Sequence, residues 1–328
     1  MAKKKISVVT SCLNEAQNLP ELYERVKAVF EKLPQYDWEL IVADNKSTDG
    51  SRDVLRDLAK ADRRVKVIFN TRNFGHIRSP INAFYRASGD AVVNMCSDLQ
   101  EPPELIGEFI RKWEEGYKVV CGVKPKSREN PLMFMLRRLY YKAIALCSDT
   151  KQIQNFTGFG LFDRRFVDAF KALDDPYPYF RGLIGDIGYD WAQVPFVQEK
   201  RKRGKTKNNF FSLYDMAMTG FVNHTKMPLR LASFTGFFVA FVSLLVASAY
   251  FVMKLTHWDT FNLGLAPLII GLFFFSAVQL IFIGIIGEYL GAVWTQVRHR
   301  PLVVEEELLN FENDSKNRTE SSILEHKA

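Results

Sequence analysis

Short apolar runs rich in β-branched residues recur through the first part of the chain, at residues 6–10, 39–43, 65–69, 91–95 and 118–123. Their length and polar boundaries predict buried strands. Between them, residues 19–33 and 51–61 repeat apolar positions at helical spacing, and residues 103–113 open with proline at a plausible first helical turn. Strands alternating with helices predict an α/β domain built on a largely parallel sheet.

Beyond residue 125 the pattern changes. Residues 132–146 mix Leu, Met, Phe and Tyr with Arg137, Arg138 and Lys142. That reads either as a basic amphipathic helix lying in a membrane interface or as a core helix with a solvated basic edge. Residues 210–222 are similarly amphipathic and lead through Pro228 into an uncharged run at 231–253; a second covers 261–287. As helices these runs would be about 34 and 40 Å long, enough to cross a hydrocarbon core. Only residues 254–260 separate them, so they predict a transmembrane hairpin with both ends on one side. Lys226, Arg230, Arg298 and Arg300 flank that side, against Lys254 in the short loop, which predicts a cytoplasmic large domain and cytoplasmic termini. The apolar stretch at 6–10 is too short for a signal-peptide core. The expected organisation is a domain over 1–209, a juxtamembrane helix over 210–230, spans at 231–253 and 261–287, and a cytoplasmic tail over 288–328, polar and disordered from 312.

With 47% hydrophobic and 25% charged residues in 328, a disordered, collagenous or all-membrane chain is excluded. Cys12, Cys96, Cys121 and Cys147 show no CxxC spacing, so neither a disulfide framework nor a zinc site is expected. A net charge of +7 would suit nucleic acid, anionic lipid or phosphorylated ligands, and the sum does not choose among them. Its location is more informative: residues 200–207 hold six basic side chains in eight, either a solvated or lipid-facing patch or a phosphate-binding loop. The GxxxxGK[ST] loop, HExxH and GxSxG are absent, and Gly158 and Gly160 form a lone GxG, which disfavours P-loop and NAD chemistry.

In parallel sheets ligands bind outside the carboxyl ends of the strands. There the sequence places Asn14 and Glu15; Asp44, Ser47, Thr48 and Asp49; Asn73 and Gly75; and Asp98, Gln100 and Glu101. Any one set alone reads as a helix cap or a turn. Four on one edge predict a crevice of carboxylates and amides suited to a nucleotide.

At these residues the chain resembles the family 2 glycosyltransferases of GT-A fold. The likeness is to the membrane-anchored polyprenyl-phosphate glycosyltransferases related to dolichyl-phosphate mannose synthase and bactoprenol glucosyltransferases. It runs over about residues 5–304 and is carried by Leu13-Asn14-Glu15, ADNKSTDG at 43–50, Asn73-Phe74-Gly75, Ala87-Ser88-Gly89-Asp90, SDLQEPP at 97–103, RKRGKTK at 201–207, Pro228-Leu229-Arg230, Gly287-Glu288-Tyr289-Leu290 and Arg300-Pro301. The resemblance implies a GT-A domain, Rossmann-like, with interfacial helices and a C-terminal transmembrane hairpin. It implies that Asn14, Glu15, Asp44, Asn45, Asn73 and Asp98 hold a nucleotide-sugar and that Asp98 and Gln100 hold a divalent cation, Mg²⁺ or Mn²⁺. It also implies that Arg201, Lys205 and Lys207, with Arg128, meet the phosphates of donor and lipid, Asp98 and the basic loop forming the catalytic set. The implied partners are a nucleotide-sugar, polyprenyl phosphate and the bilayer, with self-association left open and no nucleic acid.

Three positions depart from that family. Cys96 replaces the first Asp of the usual Asp-x-Asp metal motif, and a thiol matches Mg²⁺ poorly. Asn45 stands where a second Asp is usual, and Gly158, within TGFGL at 157–161, where many relatives carry an acid. A polyprenyl phosphate acceptor, mostly dianionic at neutral pH, needs no general base, so this last loss is compatible with transfer. A hydroxyl acceptor would restore the need for a base, and a protein that binds nucleotide-sugar without turnover is the alternative that Cys96 and Gly158 keep open.

Overall fold

The computed structural model describes residues 3–124, 153, 155–175, 178, 180–198, 227–256, 265–298 and 300–311. The interfacial helices expected at 132–146 and 210–222, the basic residues Arg128, Arg201, Lys205 and Lys207, and the tail from 312 lie outside them. The chain divides into two compact units, one of Met1–Met135, Thr150–Asn208 and His299–Ala328, the other of Leu136–Asp149 and Asn209–Arg298.

In the first unit β1 (Lys4–Cys12) is followed by α1 (Leu19–Glu31), β2 (Tyr36–Asp44), α2 (Ser51–Ala61) and β3 (Val65–Asn70). Next come α3 (Gly75–Arg86), β4 (Ala91–Asn94), a short 3₁₀ turn (Pro103–Leu105) running into α4 (Ile106–Glu114), and β5 (Val119–Val123). The described part continues with β6 (Phe156–Asp163), α5 (Arg164–Ala172), α6 (Phe180–Ile187) and β7 (Trp191–Pro195). All five expected strands and the first two expected helices are present. The sheet order is β7-β5-β6-β4-β1-β2-β3-β8, where β8 (Glu305–Leu309) comes from beyond the second long helix. Strands β4, β1, β2 and β3 run parallel, while β6 and β8 enter antiparallel beside β4 and β3.

Alternation along each strand splits the core in two. Ile6, Val8, Leu40, Val42 and Val67 face one side and pack with Leu22, Val26 and Phe30 of α1, Leu55 of α2 and Phe109 of α4. Val9, Ile41 and Ile68 face the other and pack with Ile81 and Phe84 of α3, Phe166 and Phe170 of α5 and Ile184 of α6. Both faces being covered explains why the parallel strands read as nearly continuous apolar runs.

The tail expected from residue 288 is not separate. Its first residues complete a helix, and residues 305–309 form a strand of the sheet. The local sequence EEELL hides this, because its acidic side chains find their partners far away: Glu305 with Arg86 at 2.6 Å, Glu306 with Lys46 and Arg52 at 2.9 and 3.0 Å, and Glu307 with Arg56.

The second unit holds α7 (Met227–Thr256) and α8 (Leu265–Val297) among its described residues. Both exceed the uncharged runs that predicted them, since a helix needs no apolar residue at its flanks. Their 28-residue apolar stretches, Leu229–Thr256 and Ile270–Val297, are long enough to cross a membrane, and the most apolar window of each is not buried within the protein. A core helix of a soluble domain would be covered; these are candidate membrane spans.

Candidate active site

The order β4-β1-β2-β3 brings the four polar segments to one edge. Connections run outward from β1 through β2 to β3, and the chain then crosses back to β4 on the other side of β1. That reversal opens a crevice between the ends of β1 and β4, the usual ligand position in such sheets.

Hydrogen bonds lock the strand ends together. The hydroxyl of Ser47 accepts from Asn14 N at 2.9 Å, Thr48 N donates to Asn14 Oδ1 at 2.8 Å, and Glu15 N donates to Ser51 Oγ at 2.9 Å. Ser97 Oγ donates to the Ser11 carbonyl at 3.0 Å, fixing the loop after β4 to β1. Asn45 accepts from Asn70 Nδ2 at 3.1 Å and from Phe74 N at 3.3 Å, joining the ends of β2 and β3.

The loops are conformationally strained where the site residues sit. Asn14, Lys46 and Leu99 all have φ near +60°, a region that costs L-residues about 1 kcal/mol or more unless the surroundings impose it. At Leu99 the reason is visible: its side chain is buried while its neighbours Asp98 and Gln100 stay partly open to water. One inward anchor thus presents two outward oxygen-bearing groups.

The expected site residues divide into two kinds. Asn14 and Asn73 are exposed, and Glu15, Asp98 and Gln100 are half-buried. Asp44 and Asn45 are buried instead. Asp44 accepts from Ser47 N at 3.2 Å and lies 3.8 Å from the Arg52 guanidinium, so in this arrangement it shapes the loop from within. Asn73 Oδ1 accepts from Gly75 N at 2.8 Å, a turn that starts α3.

Glu101, counted among the polar residues after β4 but given no individual role, is buried and holds the loop in place. Its buried carboxylate accepts from Cys96 N and from Thr157 Oγ1, both at 2.8 Å, tying the loop that carries Asp98 to β6. Burial, helped by the charge of Asp98, raises its pKa. Cys96 is exposed, and the charges of Glu101 and Asp98 beside it hold its thiol well above the usual range. Gly158, at φ +103°, gives its carbonyl to Asn94 Nδ2 at 2.9 Å.

Among the described residues no three acidic, histidine or cysteine side chains converge as a metal cluster. A protonated thiol at Cys96 is no ligand for a hard cation. Asp98 and Gln100 nevertheless supply carboxylate and amide oxygens, a set that fits a Mg²⁺-type ion completing its shell with phosphate oxygens and water.

The motif Ala87-Ser88-Gly89-Asp90 lies elsewhere, beside the amino ends of the strands. Asp90 accepts from Lys5 N at 2.8 Å, Gly89 N donates to Ser7 Oγ at 2.8 Å, and a Cβ on Gly89 would lie 2.7 Å from the Lys5 carbonyl. This motif staples the fold.

A crevice of this kind recurs in many α/β enzymes, so sequence comparison decides the family. The sequence profile of glycosyl transferase family 2 matches residues 7–170. The chain belongs to that family. An uncharacterized glycosyltransferase of Bacillus subtilis (strain 168) is 32% identical over 94% of this chain and 95% of its own length. The bactoprenol glucosyl transferase of Shigella phage SfV is 30% identical over 90% of this chain and 96% of its own. Among solved structures, a mannosyltransferase from Pyrobaculum calidifontis aligns at a TM-score of 0.47 and 15% identity, over 92% of this chain and 89% of that one. As a family 2 member the protein is a glycosyltransferase.

Proposed function

We propose that this glycosyltransferase moves a sugar from a nucleotide-sugar, a UDP-sugar in preference to a GDP-sugar, to undecaprenyl or dolichyl phosphate, inverting the anomeric carbon. The observation that carries this reading is similarity to a bactoprenol glucosyl transferase over 90% of the chain, extending through two helices of membrane-spanning length. An acceptor with an isoprenoid tail stays in the bilayer, so its phosphate is met at the membrane surface, with the catalytic domain on the cytoplasmic side.

In this reading Asn14, Glu15 and Asn73 contact the donor, and Asp44 and Asn45 form the floor that fixes their loops. Asp98 and Gln100 hold a divalent cation, which when bound neutralises the departing nucleoside diphosphate. Arg201, Lys205 and Lys207 stabilise the same developing charge, and with Arg128 they steer the lipid phosphate. The acceptor oxygen is already anionic, so the protein's task is to align two anions.

The test is to incubate membranes containing the protein with labelled nucleotide-sugars and extract with organic solvent. Label entering the lipid phase supports transfer, and Lys205→Ala with Lys207→Ala should cut transfer more than nucleotide binding. Binding without lipid-phase label with every donor overturns it. That outcome is the second reading, a nucleotide-sugar-binding protein without turnover, which Cys96 and Gly158 at the positions of the usual acids keep open.

A further inference from the structure

The strand that follows the second long helix reaches into the loop after β2. Glu306 on β8 accepts from Lys46 Nζ at 2.9 Å and from Arg52 Nη2 at 3.0 Å. Lys46 is the residue whose backbone is held at φ +64°, two positions past Asp44. Arg52, at the start of α2, lies over the Phe69 ring, 4.6 Å from its centroid, with its Nε 3.8 Å from Asp44 Oδ2. Asp44 in turn accepts from Ser47 N, and Ser47 accepts from Asn14 N. A continuous path therefore links Glu306 to the loops after β1 and β2.

We propose that Glu306 is a positioning residue of the donor site, so that the segment following the membrane hairpin completes the nucleotide-binding loop of the catalytic sheet. This rests on the reading of the crevice as a donor site. A lone exposed ion pair contributes little. Here two cations converge on one carboxylate, and one of them is confined by an aromatic ring and by a buried Asp. The rest of β8 is seated independently: Glu305 pairs with Arg86 and Asn82, Glu307 with Arg56, Asn310 donates to the Ala59 and Val65 carbonyls, and Thr71 N donates to Val304 O. Loss of the Glu306 charge should loosen the loop while the strand remains in place.

The experiment compares Glu306→Gln with Glu307→Gln in the full chain, in detergent or nanodiscs. It measures hydrogen exchange of amides 45–50, uridine diphosphate binding by calorimetry, and donor KM and kcat. Glu306→Gln should speed exchange at 45–50 and raise both the Kd and the donor KM about three- to tenfold with kcat within about twofold. Glu307→Gln should leave all of these near wild type. Wild-type exchange and affinity in Glu306→Gln would overturn the proposal, as would equal changes in Glu307→Gln, which would mean general loosening of the strand. If the wild type binds no nucleotide, the donor-site reading falls, and exchange alone decides whether Glu306 holds the loop.

Discussion

Glu39 offers a quantitative test of what holds the domain together. Its carboxylate is 1% exposed at the amino-terminal edge of the sheet. It accepts from Ser7 Oγ at 2.5 Å and from Ser88 N at 2.9 Å, and lies 2.8 Å from both Lys5 Nζ and Lys66 Nζ. Burial alone would raise its pKa; the bonds from Lys5, Lys66, Ser7 and Ser88 outweigh this and set it at about 2 against an ordinary 4.5. The folded value is the lower one, so the stabilisation is fully present above pH 4.5 and is lost as pH falls through 2. Its size is about 3 kcal/mol, at the low end for breaking a buried pair because water reaches both lysines. Glu39→Gln should therefore lower Tm by roughly 6–12 °C at pH 7 for a domain of this size. Thermal unfolding of the detergent-solubilised full chain, followed by tryptophan fluorescence, measures it. The gap between variant and wild type should narrow as pH drops below 4.5. A Tm change under about 2 °C at pH 7, or a gap that widens in acid, would refute the reasoning.

Three further outcomes are expected. Cys96→Asp restores a hard ligand beside Asp98, and the Mn²⁺ concentration giving half-maximal nucleotide binding should fall about tenfold in a cation titration. Gly158→Asp returns an acid to β6 at φ +103°, and should destabilise by roughly 1–3 kcal/mol without raising the initial transfer rate, since a dianionic acceptor needs no base; a faster rate would point to a hydroxyl acceptor. Gly89→Ala has no room against the Lys5 carbonyl and Ser7 N, both 2.7 Å from the added carbon. It should cost about 3 kcal/mol and reduce the folded yield in size-exclusion chromatography.

The parallel half of the sheet was legible because β1 to β4 are buried on both faces and carry unbroken apolar runs. The polar clusters after them were legible because strand direction dictates one shared edge. Other elements were not. In α3, Gly75 and the internal Pro80 mask the helical period. In β6, Gly158 and Gly160 weaken any strand signal, yet Gly160 is where a Cβ would sit 2.3 Å from the Val120 carbonyl of β5. Asp44 read as a ligand-facing loop residue; it is the last residue of β2, and its orientation depends on Arg52 and Ser47, which no local pattern reveals. The acidic strand β8 is intelligible only through basic partners more than two hundred positions upstream.

That last element bears on how a water-soluble fragment should be made. Cutting the gene before the first long helix would remove β8 along with the hairpin, leaving the hydrogen-bonding rim of β3 bare next to Val67, Ile68 and Phe69. An open rim of that kind invites intermolecular pairing, and Arg56 and Arg86 would lose their counterions. Splicing residues 300–311 back through a flexible connector is the more promising route to a catalytic fragment that stays monodisperse.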